Sequence, residues 1–102
     1  MDPASLAQSI PADQVDALRR QHNVDIDGQV VEFGAALLVR FLPASATCDL
    51  LLDILDEAGA ACRRALASSG DAAKHGRIDS RSVAVVVGNR LGIPEDRIPQ
   101  AR

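Results

Sequence analysis

Hydrophobic and polar positions along this chain recur with helical spacing, and the clearest case lies in residues 47–68. Leu51, Leu55, Ala58, Cys62 and Ala65 follow one another at intervals of four and three, a seam of the kind that packs helix on helix. Ile54 and Leu66 widen it. The opposite side carries Asp49, Asp53, Asp56, Glu57, Arg63 and Arg64, acids first and bases last, the order a helix dipole favours. Ser45 or Thr47 offers a cap. Gly59 weakens a helix by about 1 kcal/mol relative to alanine. Set among the small residues of 58–62, it either lets a neighbouring backbone approach or breaks the helix in two.

Residues 29–42 keep their polar positions, Gln29, Glu32 and Arg40, on one narrow stripe, and nearly everything else there is apolar. Such a helix is buried on almost every side, and Pro43 ends it. Shorter helices are expected at both ends of the chain. Asp2-Pro3 opens one with Leu6 and Ile10, and Ser9 caps another that runs past Val15 and Leu18 to about His22. Asp79 or Ser80 caps a last long one, with Gly92 as its stop, and residues 94–98 add a turn. Two strand alternatives stay open. Asp27-Gly28 could be a hairpin turn after Val24-Asp25-Ile26, and the β-branched run 83–87 could be extended.

The expected fold is therefore all-α: a small helical bundle on a central antiparallel helical hairpin, 29–42 against 47–68, with short flanking helices. One domain spans the chain, with an N-terminal connector up to 28, the hairpin in 29–68, a loop in 69–79, and a C-terminal helix and tail in 80–102. No internal repeat is visible. The 29–42 helix asks for more cover than a few short helices supply, which predicts a homo-oligomer.

Composition narrows the function classes. Hydrophobic residues make up 47% and charged residues 25%, an ordinary globular profile, but aromatics are only 2%. The core must be aliphatic. A net charge of −3 gives no basic field for nucleic acid or anionic lipid, so neither DNA nor membrane is expected as a partner. The longest apolar stretch, residues 30–42, is interrupted by Glu32 and Arg40 and is short of the ~20 residues of a membrane span. No leader-like segment is seen, and a cytoplasmic location is the expectation. Cys48 and Cys62 on one straight helix would stand about 21 Å apart, too far for a disulfide, so buried thiols are expected.

Candidate chemistry is sparse. His22 and His75 are far apart and near no C-x-x-C or H-x-x-x-H spacing, so no metal or other cofactor is expected. Neither cysteine stands beside a histidine as a nucleophile would, and an enzyme is not expected. A helix-turn-helix reading of 88–98 fails on a second helix of five residues, two of them acidic. Two basic groups remain, Arg63-Arg64 and the set Lys74, His75, Arg77 and Arg81. Each is either a helix-end complement or solvated loop, or an anion site in which a forked guanidinium grips phosphate.

In residues 37–67 an apolar helix ends near Pro43 and Ser45, and the next helix carries Leu55, Glu57 and Ala58 in order. This stretch resembles the helical hairpin of phage anti-defence sponge proteins, which sequester the cyclic nucleotide signals of CBASS and Thoeris immunity. Where that family has a charged pair after the serine, Ala46 and Thr47 stand here; where it has an aromatic and then an asparagine, Ala61 and Arg63 stand here. The resemblance implies a non-enzymatic binding protein for a small anionic ligand such as a cyclic nucleotide, with Ser45, Arg63 and Arg64 as ligand-binding residues and no cofactor. Residues 51–70 also resemble the fourth and fifth helices of death-fold recruitment domains. That likeness implies a protein interaction module with a helical protein partner, acting by homotypic assembly.

Overall fold

The computed structural model describes residues 10–93. In chain order these form α1 (Ala12–His22), β1 (Val24–Ile26), α2 (Gly28–Leu38), α3 (Ala44–Ser68), β2 (Gly76–Ile78) and α4 (Ser80–Leu91). The protein is mostly helical, but the all-α expectation is corrected by a two-stranded parallel sheet, with Val24 opposite Gly76, Asp25 opposite Arg77 and Ile26 opposite Ile78. The element order repeats as helix, strand, helix. Both strands end in an isoleucine followed by an aspartate, and in both cases that aspartate caps the next helix.

Those caps explain two of the helix starts. Asp27 accepts from the Gln29 backbone N–H at 3.0 Å, and Asp79 accepts from that of Ser82 at 2.8 Å. Each satisfies a donor that the first helical turn leaves without a partner. Asp27-Gly28 is thus a helix start and not a hairpin turn, although Val24–Ile26 before it is extended. The β-branched run 83–87 is helical, between its Asp79 cap and Gly92. The expected helical residues 2–9 and 94–98, Ser9 among them, lie outside the described residues; Ile10 is a buried bend, and the helix ending at His22 starts at Ala12 with Pro11 before it.

Two boundaries move. The helix expected over 29–42 ends at Leu38, and residues 39–42 tighten into a turn in which Arg40 N–H donates to Leu37 O and Phe41 N–H to Leu38 O. A residue before proline resists the α conformation, so the chain unwinds ahead of Pro43. Thr47 is not a cap. It sits buried inside the first turn of α3, and its hydroxyl donates back to Pro43 O at 3.0 Å.

The helix α3 touches every other element. Its seam buries Leu51, Ile54, Leu55 and Ala58 completely, but Cys62 and Leu66 are half-buried and Ala65 is exposed. Cys48 is half-buried too, so neither thiol is a core group. Aliphatic side chains from the other elements complete the core: Val24, Ile26, Leu37, Leu38, Ile78, Val83 and Val87 are almost fully hidden. The apolar α2 is covered by this same chain, with Val30, Val31, Ala35, Leu37 and Leu38 all buried. The large apolar side chains left exposed among the described residues are Phe41 and Val85, at 43% and 46%.

Three glycines permit close approaches: Gly34, where a Cβ would lie 2.7 Å from Leu51 Cδ1, Gly59 and Gly76. Gly59 neither breaks α3 nor ends it; a Cβ there would lie 2.7 Å from the His22 ring, which rests on it. Gly76 brings β2 against α3 and β1, where a Cβ would meet Cys62 Sγ at 2.7 Å, and Leu66 Cδ1 and Val24 Cγ1 at 3.1 Å. Neither the strand partner nor the helix can withdraw without losing its own packing. Gly76→Ala is therefore expected to lower stability by about 1–3 kcal/mol, read as a fall in the chemical-denaturation midpoint with an unchanged slope.

Candidate functional site

The polar side chains of the fold gather where α1 ends and the two strands begin. Asn23 closes α1 in the left-handed conformation, at φ 53°, which asparagine tolerates better than most residues. Its carbonyl accepts the Gly76 N–H at 2.9 Å, and this bond starts the sheet. On the strands, Val24, Ile26, Gly76 and Ile78 face the core, while Asp25 and Arg77 face out side by side.

Arg63 holds this junction. Its Nε donates to His22 O at 3.0 Å and its Nη2 to Asn23 O at 2.9 Å. Its Nη1 donates to Ala72 O at 2.7 Å and Lys74 O at 2.8 Å. The guanidinium has five N–H donors in a rigid fork, and four of them go to carbonyls of two chain segments about fifty residues apart. Asp56, Gly59 and Arg63 recur at intervals of three and four, so they form one stripe on α3. All three engage His22: Asp56 Oδ1 meets its Nε2 at 2.6 Å, Gly59 makes room for the ring, and Arg63 takes the carbonyl.

Outside the clamp lies a charged surface. His75 Nδ1 is 2.8 Å from Asn23 Oδ1, and its Nε2 is 2.8 Å from Asp25 Oδ1. The imidazole hydrogen bond, reinforced by the nearby charges of His75, Arg77 and Arg19, holds the Asp25 carboxyl below the usual carboxylate range. Arg19 donates through Nε to Ile26 O at 3.2 Å and pairs with Asp16. Arg77, with a side chain 72% exposed, comes only within 4.0 Å of Asp27. Arg19, Asp25, Ile26, Asp27 and Arg77 line an open groove of about 410 Å³. A smaller groove of about 190 Å³ runs between α1 and α3.

Of the residues expected to bind a ligand, Arg63 is the clamp just described. Its neighbour Arg64 is exposed, with no hydrogen bond or ion pair among the described residues. Ser45 falls in the first turn of α3, and its side chain lies outside the described residues. Arg63 is engaged at the junction, and Arg64 takes part in none of the junction's hydrogen bonds. Of the loop basic group, His75 and Arg77 reach the charged surface, while Lys74 pairs with Asp71 at 3.7 Å. Among the described residues, no group of three or more His, Cys, Asp or Glu side chains could hold a metal ion. Asp25 and Asn23 escaped sequence reasoning. A local signal beside them is the Ile-Asp pair at 26–27, which recurs at 78–79.

The two arginines should separate cleanly on substitution. Arg63→Ala removes four charge-assisted bonds and is expected to cost at least about 2 kcal/mol, whereas Arg64→Ala should change stability by less than about 0.5 kcal/mol. Thermal melts of both variants check this.

Acid should loosen the strand end. Asp25 is held down by His75, and Asp79 by the backbone N–H and the hydroxyl of Ser82. A carboxyl whose folded value lies below its unfolded one contributes stability above the unfolded value, and that contribution is lost as pH falls through the folded one. The melting temperature should therefore fall as pH drops below about 4. Asp79→Asn, which keeps a good cap but does not titrate, should flatten that acid slope; an unchanged slope would contradict the assignment.

Comparison with protein-family models, with curated proteins and with solved structures returns no match.

Proposed function

We propose that this chain is a non-enzymatic protein interaction module of adaptor type, acting by homotypic assembly of its helical faces. The observation that carries this reading is the commitment of Arg63. A small-anion site on α3 needs that guanidinium free, and four of its donors are engaged by the chain's own carbonyls. What α3 and its neighbours present outward is instead a fixed framework of charged stripes, with Phe41 and Val85 standing out of an otherwise covered core.

The second reading is sequestration of a small anionic nucleotide signal in phage–bacterium conflict, and one observation favours it. Arg77 is largely exposed beside Arg19 on the groove of about 410 Å³, a volume within the ~300–1,000 Å³ of small-molecule sites. Against it, Asp25 and Asp27 line the same groove and oppose an anion.

Thermal melts against cyclic di- and trinucleotides and cyclic ADP-ribose isomers separate the two. A true ligand at 100 times its dissociation constant adds about 2.7 kcal/mol. On the module reading none of them shifts the melt, and the chain's mass in solution rises with its concentration. A shift that Arg77→Ala abolishes would replace the module reading with the sponge.

A further inference from the structure

The smaller groove, between α1 and α3, is lined by Gln14, Leu18, Gln21, Leu52, Asp53 and Asp56. At about 190 Å³ it falls below the ~300 Å³ at which small-molecule sites begin, and its scale is that of one long side chain. Leu18 and Leu52 are half-buried and give it an apolar flank from each helix. Asp53 is exposed at its rim, and no cation pairs with it among the described residues. Asp56 uses one oxygen on His22, and its second oxygen has no hydrogen-bond partner among the described residues. Apolar flanks with carboxylates at the rim suit an arginine, whose stem lies along aliphatic surface while its fork grips carboxylate.

Arg64 is an arginine of the right kind. It has no bonded or ionic partner among the described residues, and the residues three and four positions away on its helix are Ala60, Ala61, Ala67 and Ser68. Small neighbours leave it as the projecting group of its surface, free to enter a recess. It cannot reach the groove of its own molecule, because it follows Asp53 by eleven residues on one helix, about 16 Å along the axis. The donor and the acceptor therefore belong to different copies.

We infer that Arg64 of one copy inserts between α1 and α3 of the next and pairs with Asp53, so that copies associate head to tail. The contact is heterologous: each molecule carries one groove and one arginine, and the association runs on until it closes a ring or is capped. This inference rests on the homotypic reading above and gives it a site.

Sedimentation equilibrium at low salt, over a wide concentration range, tests it. The wild-type chain should gain mass with concentration and lose it as salt screens the pair. Asp53→Lys destroys the groove and keeps Arg64; Arg64→Ala does the reverse. Each alone should associate at least tenfold more weakly, with an unchanged circular dichroism spectrum. Mixed in equal amounts, they should form a discrete one-to-one dimer, because one supplies the arginine and the other the groove. Arg20→Glu, an exposed base on α1, should associate as wild type does. If both single variants still assemble like wild type, or the mixture forms no dimer, the site is wrong and homotypic assembly stands without it. A wild-type chain that stays monomeric throughout overturns both.

Discussion

The guanidinium of Arg63 is the point on which the rest of the fold depends. It receives carbonyls from the end of α1 and from the loop before β2, segments about fifty residues apart. A planar fork fixes both the distance between its acceptors and their direction. Bringing those segments to one side chain brings the Asn23 carbonyl to the Gly76 N–H, and that bond fits the parallel register in which Val24 stands opposite Gly76. Lysine would offer a point charge with three donors in place of this geometry. The same stripe of α3 takes the His22 ring on Gly59 and its Nε2 on Asp56, so the end of α1 is held by shape, charge and hydrogen bonding together.

The helices were legible because their signals are local. An aspartate cap, a proline, and an apolar stripe of period 3.6 act within a few residues, and α1, α3 and α4 lie close to where those signals place them. The sheet was not legible for the opposite reason. Gly-Arg-Ile has one apolar side chain and no alternation to read, and it is a strand because Val24-Asp25-Ile26 lies beside it. Asp27-Gly28 suited a hairpin as well as a helix cap, and only tertiary context chose. Arg63 shows the limit most plainly. On the polar face of an amphipathic helix it looks like Arg64 beside it, yet one rotation of about 100° along the helix turns one into an internal strut and leaves the other in water.

The outer surface carries the functional argument. Positive and negative groups lie close together around β1 and β2, where His75 pairs with Asp25, Arg77 comes within 4.0 Å of Asp27 and Arg19 pairs with Asp16. Along α3 the charges are instead segregated, with acids early and Arg64 late. A mixed surface offers little net field to a small anion, whereas a segregated one has two ends that differ. That polarity, more than any single pocket, favours a protein surface as the thing this chain meets.

The placement of the two strands also governs how the chain reaches this state. Each strand has its partner on the far side of the longest helix, so the sheet cannot nucleate locally. A loop of about fifty residues must close before the first ladder bond forms, and 40 to 41 residues separate Arg63 from its acceptors at the end of α1. The entropy of that closure falls on the transition state before the contacts offset it. Helical bundles of this size gain most contacts from neighbours in sequence and fold fast. Here the end of α1 meets one stripe of α3 that lies 34 to 41 residues further along the chain. Two strands of three residues each thus turn a local folding problem into a long-range one.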